Sequence, residues 1–277
     1  MHPSRITDIN DPRLCDYRFV RERDLAGSRR AEGVFIGETL PILEQMLAIP
    51  GLTQSVLTSD RFCTRVVAAI ENSANPHLSL FLVDDALMQQ TAGFDLHRGV
   101  LAIGARAQLD ARSASDAPFA TGSLLIALDG VGNMDNVGAI FRGAAAFGVS
   151  GVILSRHSHD PLYRKVVRVS MGYALRIPYA WSDDLAATLL MMKSQRSDLR
   201  VLAAVCDETA SDIAQFDGRA AKTPATVLVV GGEYAGISRA VQAISTDRIR
   251  IPIARSVDSL NAAVAASVCL HRLSNIL

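Results

Sequence analysis

SLLIALD (Ser123–Asp129) runs directly into GVGNMDNVGAIFRGAAAFGV (Gly130–Val149). The first segment is a continuous apolar run bounded by polar residues, the pattern of a strand buried on both faces. The second reads as a turn followed by a helix, with Asn136 as a cap for a helix starting at Val137. GVILS (Gly151–Ser155), RVLAAV (Arg200–Val205) and TVLVVGG (Thr226–Gly232) repeat the strand type, and helical segments lie between them. Apolar strands alternating with helices predict an α/β fold built on a mainly parallel sheet covered by helices.

Upstream, the segment ARAQLDARSASDAPFATG (Ala105–Gly122) is small and polar and contains Pro118, which reads as a linker. Before it, GVFIGE (Gly33–Glu38), QSVLTS (Gln54–Ser59) and LSLFLV (Leu78–Val83) have strand character. PILEQMLA (Pro41–Ala48) and DRFCTRVVAAIEN (Asp60–Asn72) have helix character, the second with Asp60 as a cap. The expected organisation is a small α/β domain over 1–105, a linker over 106–121 and a larger α/β domain over 122–277.

The chain has 277 residues, 49% of them hydrophobic and 20% charged, which excludes disorder as its main state. Lys and Arg number 28 and so do Asp and Glu, so a coat of positive charge is excluded while a local basic patch is not. Cys15, Cys63, Cys206 and Cys269 form no CxxC pair, and their expected state is reduced thiols in a cytoplasmic protein. The N-terminus lacks the apolar region of a secretory signal, and no apolar stretch approaches the ~20 residues of a membrane span.

Three segments follow predicted strands, at the carboxyl ends where open α/β sheets bind ligands. In the first, Gly138, Gly143 and Ala144–Ala146 make the helix small-sided, and Arg142 is its one cation. Interior glycines cost about 1 kcal/mol each against Ala, so another backbone is expected close by. Arg142 reads equally as a surface residue or as a phosphate or carboxylate contact. In the second, VLVVGGEYAGIS (Val227–Ser238), the glycines fit neither GxGxxG nor a Walker loop, and Glu233 disfavours a pyrophosphate cradle. In the third, Ser256, Asp258, Ser259 and Asn261 precede a long helix, for which Ser259 or Asn261 is a natural cap.

RHSHDPLYRKVVRVSMGYALR (Arg156–Arg176) carries five Arg or Lys against one Asp, interleaved with His and Tyr. Arg156, Arg164, Lys165 and Arg168 are therefore candidate RNA contacts, against the alternative of a solvated helix face. His157 and His159 have no third ligand nearby, so no metal is expected. GxSxG, HExxH and Cys/His nucleophile signatures are missing, so simple hydrolase chemistry has no support.

In this order Asn136-Val-Gly-Ala-Ile-Phe-Arg142, Gly231-Gly-Glu233-Tyr-Ala-Gly236, and Ile251-Pro-Ile with Ser259-Leu-Asn261 resemble the SpoU (TrmH-like) branch of the SPOUT RNA methyltransferases. Ser170-Met-Gly172 followed by Pro178 is similar as well. GVFIGE and FDLHRGVLA (Phe94–Ala102) resemble the L30e-like RNA substrate-binding domain that often precedes that catalytic domain. The resemblance implies a deep trefoil knot in the second domain, a topology that general rules of chain connection argue against. It implies S-adenosylmethionine as cofactor, held by Gly231, Gly232, Gly236, Ile251, Ile253 and Leu260. It also implies a homodimer through the second domain and methyl transfer to a ribose 2′-hydroxyl of structured RNA, ribosomal or transfer.

Asn136, Arg142, Glu233, Ser259 and Asn261 match the family's polar positions around the transfer site. Arg142 resembles the family's catalytic arginine. A free guanidinium is a poor base, so phosphate binding and polarisation of the hydroxyl is the favoured role for it. Two departures from the family pattern stand out: Asn133-Met134 where Asp-Pro is common, and Tyr234 where a small residue often follows the loop Glu. The competing readings are a non-catalytic RNA-binding assembly factor and a base-methylating relative. A nucleotide-dependent dehydrogenase is remote without GxGxxG.

Overall fold

A computed structural model describes residues 2–20, 32–75, 77–93, 99–111, 116–121, 124–216 and 225–274. Phe94–Arg98 of the FDLHRGVLA segment and residues 112–115 of the expected linker lie outside them. By internal contact the chain divides into two units. One comprises Met1–Gln108 with Leu162–Arg176, and the other Leu109–Pro161 with Ile177–Leu277.

The first unit is built on a five-stranded mixed sheet of β1 (Ser4–Arg5), β2 (Val34–Glu38), β3 (Thr53–Ser59), β4 (Ser79–Val83) and β5 (Val100–Ala105), in the order β1-β4-β3-β5-β2. β4 runs parallel to β1 and β3, and β5 runs antiparallel to β3 and β2. Helices α1 (Leu40–Leu47), α2 (Cys63–Glu71) and α3 (Asp85–Ala92) connect them. Leu57, Val83, Leu101 and Ile103 meet Leu14, Tyr17 and Met88 in its core. Asp60 does not cap α2. It lies in a short 3₁₀ turn before the helix, and its carboxylate pairs with Arg5.

Leu162–Arg176 groups with this unit although it stands between strands of the other, which the sequence reading does not anticipate. Its helix α7 (Arg164–Val169) packs against β2. Arg164 Nη1 lies 2.5 Å from Glu38 Oε2, with both side chains about nine-tenths buried, and Arg168 Nη1 lies 3.6 Å from the same oxygen. Met171 and Gly172 follow in left-handed backbone (φ 54° and 81°), which turns the chain into a 3₁₀ helix over Tyr173–Leu175. Earlier in the chain, α4 (Ala107–Asp110) and α5 (Ala117–Ala120) are short helical turns within the stretch read as linker.

In the second unit, seven strands form an all-parallel sheet in the order β10-β12-β9-β11-β6-β7-β8. The strands are β6 (Leu124–Asp129), β7 (Gly151–Ser155), β8 (Tyr179–Ser182), β9 (Arg200–Ala204), β10 (Ser211–Asp212), β11 (Thr226–Gly231) and β12 (Asp247–Arg250). β6, β7 and β11 are buried along almost their whole length, as strands covered on both faces must be. The covering helices are α6 (Met134–Ala146), α8 (Leu185–Gln195), α9 (Arg239–Ile244) and α10 (Ala262–Leu273). Leu125, Ala127, Ile153, Val201, Val227 and Val229 form the sheet's share of the core.

The register places the site. Gly231 at the end of β11 pairs with Asp129 at the end of β6, and Ala204 at the end of β9 pairs with Ile249 of β12. Parallel strands ending level put the loops after β6, β9, β11 and β12 at one edge, where ligands of such sheets bind.

Candidate active site

The loop after β6 is fixed first. Asp129 uses its carbonyl to accept from Gly232 N (2.9 Å) and its carboxylate to accept from Ser238 N (2.8 Å). One residue therefore ties the β6 loop to both ends of the glycine-marked turn. Asn133, rather than Asn136, caps α6: its Oδ1 accepts from Asp135 N (2.8 Å) and Asn136 N (3.1 Å). The helix thus starts at Met134, three residues before the expected Val137. A side chain that caps satisfies otherwise orphaned N–H groups, and Asn133 is one of the residue types best suited to it.

Asn136 is released for another task. It is buried (6% exposed), its Nδ2 donates to Glu233 Oε1, and its Oδ1 accepts from Asn261 Nδ2 at 2.8 Å. Asn261 caps α10 by accepting from Ala263 N (2.9 Å) and Val264 N (3.2 Å). The cap fixes which end of Asn261 faces Asn136, since only the oxygen accepts backbone N–H groups. Asn261 must then donate to Asn136, and Asn136 must turn its own NH₂ to an acceptor, the Glu233 carboxylate. One hydrogen-bond direction therefore runs through all three segments that the sequence reading singled out.

The Gly231–Gly236 turn is closed by backbone alone. A Cβ on Gly231 would lie 2.2 Å from Gly236 C, and one on Gly232 would lie 2.2 Å from Gly130 O. Real side chains never come that close, so these glycines answer to close packing of backbone on backbone. Gly236 N donates to Gly232 O at 2.9 Å, closing the turn under Glu233, Tyr234 and Ala235. Small residues do similar work in α6, where a Cβ on Gly143 would approach Ser267 Oγ of α10 at 3.1 Å.

A cavity of about 400 Å³ opens beside the loops after β9 and β12. Ile251, Ile253 and Leu260 line it, while Gly231, Gly232 and Gly236 are not among its lining residues. The sequence reading missed the other wall, supplied by Val205, Cys206, Asp207 and Glu208 after β9. The signal was available, because β9 is a strand of the same type ending at the same edge. Asp207 is pinned by Thr209, whose N and Oγ1 both donate to it at 2.8 Å, and by Arg248. These bonds, the Thr209 backbone N–H foremost, hold its carboxyl down at about 2.

Arg142 and Ser259 are exposed, and neither makes a side-chain hydrogen bond among the described residues. The basic strip is divided between the two units. Arg156 belongs to the second unit and the other three cations to the first. Arg156 and Arg168 are exposed and Lys165 is half-buried. Arg164 is buried against Glu38, which corrects its reading as an exposed RNA contact. Among the described residues, no group of three or more His, Cys, Asp or Glu is placed to hold a metal ion. No described helix is long and apolar enough to cross a membrane.

Residues 123–271 match the model of the SpoU rRNA Methylase family. An uncharacterized tRNA/rRNA methyltransferase of Mycobacterium tuberculosis is 33% identical over 268 residues, covering 96% of this chain and 90% of its own. The fold is shared with the AdoMet-bound rRNA methyltransferase of Sinorhizobium meliloti (TM-score 0.76, 23% identity, 98% of this chain and 97% of that one). It is shared equally with an RNA 2′-O ribose methyltransferase (TM-score 0.75, 22% identity, 97% of each chain). The ordered segments, the parallel sheet that aligns them and these likenesses agree, and the chain belongs to the SpoU rRNA methylase family.

Proposed function

We propose that the protein is an S-adenosylmethionine-dependent RNA methyltransferase acting on a ribose 2′-hydroxyl of ribosomal or transfer RNA. The observation that carries this reading is the Asn261–Asn136–Glu233 chain, which joins three segments of separate strands and helices at the ligand-binding edge of the sheet. Family membership supports methyl transfer to RNA, and the structural neighbour's name supports the ribose as acceptor.

The cavity suits the cofactor. Its volume falls in the range of small-molecule sites. Ile251, Ile253 and Leu260 offer apolar surface for the adenine. Asp207, Glu208 and Asp258 with Arg250 and Arg255 offer both signs of charge for an amino-acid end. The bound cofactor would supply a methyl group activated on a sulfonium.

The chain's own residues then have to position and polarise. Arg142, exposed to solvent, holds a substrate phosphate and draws charge from the 2′-hydroxyl, whose proton passes to solvent water as the oxygen becomes a nucleophile. Its guanidinium is always charged, which suits binding rather than proton uptake. Ser259, exposed at the end of the third loop, orients the hydroxyl. Asn136, Asn261 and Glu233 fix the loops that carry these groups. Gly231, Gly232 and Gly236 shape the cofactor loop through their backbone. The tight passage of that loop against Gly130 supports the knotted path of the family.

The same proposal includes an L30e-like RNA-binding role for the first unit, with Arg156, Lys165 and Arg168 as RNA contacts. It includes a homodimer through the second unit, supported by Val264 and Val268, exposed one turn apart on α10. It also includes a cytoplasmic location, supported by four cysteines that form no disulfide among the described residues.

The test is transfer of labelled methyl from S-adenosylmethionine to ribosomal and transfer RNA, followed by alkaline digestion. A 2′-O-methyl blocks the neighbouring phosphodiester, so label in alkali-resistant dinucleotides supports the proposal. Label released in mononucleotides assigns the methyl to a base. No transfer by protein that binds the cofactor assigns a non-catalytic RNA-binding role.

A further inference from the structure

Tyr234 is the most exposed large hydrophobic side chain among the described residues, at 105% of the reference for its type. An aromatic ring wholly in water gives up the burial that makes such rings useful, so its position calls for an account. The position is not loose. Tyr234 is the middle residue of the three-residue tip closed by the Gly236 N–H on Gly232 O, and at its base Gly232 packs against Gly130 and Gly231 against Gly236 and Ile237. The residue before it, Glu233, is anchored by Asn136. Successive Cα atoms lie about 3.8 Å apart, so the ring is carried next to the polar chain that orders the proposed transfer site.

We infer that Tyr234 is a stacking platform for a nucleobase of the RNA substrate, at or beside the nucleotide that is methylated. This rests on the RNA methyltransferase reading and adds to it a base-recognition element. Where the methylated ribose lies in a loop, bulge or end of structured RNA, its base can be splayed out of the stack. Unstacked bases are received on aromatic faces, worth about 1–3 kcal/mol per base. The surroundings favour a base over a second copy of the chain. Around Tyr234 the sequence is short or polar: Glu233, Ala235 and Gly236, then exposed Ser238 and Arg239 beyond buried Ile237. A self-association surface needs apolar area, and that area lies instead on α10 at Val264 and Val268. Stacking uses the π-face common to all bases, so the contact favours an extruded nucleotide rather than one base identity.

The experiment compares Tyr234→Ala, Tyr234→Phe and Tyr234→Trp with the unchanged protein, using ribosomal RNA and transfer RNA as substrates. Tyr234→Ala is expected to lower kcat/KM about 5- to 150-fold, chiefly through KM for RNA, the fold-change equivalent to one lost stack. Cofactor affinity should be unchanged, and Tyr234→Phe and Tyr234→Trp should stay within about threefold of the parent. In Tyr234→Trp the introduced indole should be quenched by RNA and not by inorganic polyphosphate, against the background of Trp181. An alanine variant as active as the parent overturns the inference, and so does quenching by polyphosphate. Loss of the dimer on sedimentation of Tyr234→Ala would assign the ring to self-association instead. If the unchanged protein methylates no RNA, the functional reading fails separately, and the quenching arm still decides whether the ring meets bases.

Discussion

Asn136 donates to one neighbour and accepts from the other, which makes its amide directional. Asn136→Asp keeps the shape and reverses half of the chemistry, setting a second carboxylate against Glu233. Leaving a buried polar group without its partner costs about 1–3 kcal/mol, and facing charges add to that. We expect Asn136→Asp to lower methyl transfer at least about tenfold, and the Asn136→Asp/Glu233→Gln double variant to recover part of it. A double-mutant cycle on transfer rate reads the coupling, and additive effects would contradict the chain of bonds described above. Cys269 gives a second test at this scale. Burial pushes its thiol up to about 12, while Cys15 and Cys206 are exposed. Iodoacetamide at pH 8 should label Cys15 and Cys206 in the native protein and reach Cys269 only on unfolding, as read by peptide mass spectrometry. Since the folded thiol holds its proton longer than the unfolded one, Cys269 contributes stability that is full below the ordinary 9.0 and is lost as pH rises toward 12.

Elements differ in how far their sequence announces them. β6, β7 and β11 are legible because strands buried on both faces need apolar residues at every position, and that demand is local. The start of α6 is not: Asn133 and Asn136 are equally good caps by type, and the folded chain uses Asn133. The task of α7 is least legible of all. Arg164 and Arg168 one turn apart define a helix face, but nothing nearby reveals that Glu38, 126 residues earlier in the chain, waits beneath it. That pair carries its own prediction. Removing one partner of a buried ion pair costs about 3–5 kcal/mol, whereas replacing both with apolar side chains is often neutral. Arg164→Met should therefore lower the urea midpoint of the protein sharply, and Arg164→Met/Glu38→Leu should restore most of it. Equal midpoints for the single variant and the parent would show that the pair contributes nothing to holding α7. At the glycine turn, Gly232→Ala places a methyl against the Gly130 carbonyl, backbone that cannot swing away. Overpacking of this kind costs about 1–3 kcal/mol, and here it also displaces Glu233, so activity should fall further than stability.

For the whole molecule the balance of 28 cations and 28 anions sets the terms of RNA binding. With no excess charge and with Arg164 withdrawn to Glu38, non-specific affinity should be modest. Binding should lose strength with salt at a slope equivalent to fewer than about five phosphate contacts. A slope near that of a strongly basic RNA-binding protein would contradict this expectation. The candidate site was legible at this scale through the order of its segments, since Asn136, Glu233 and Asn261 are far apart in sequence and meet only because parallel strands end level. The wall after β9 escaped because Asp207 and Glu208 carry no motif, only a place at the end of a strand.

The central claim is methyl transfer to a ribose hydroxyl through the site that contains Arg142. The most direct measurement is nucleoside mass spectrometry on RNA from cells lacking the protein, incubated with S-adenosylmethionine and either the unchanged protein or Arg142→Ala. A new 2′-O-methylated nucleoside with the first and none with the second is the expected result. A base-methylated nucleoside, no new nucleoside, or equal yields from the two proteins would contradict the account.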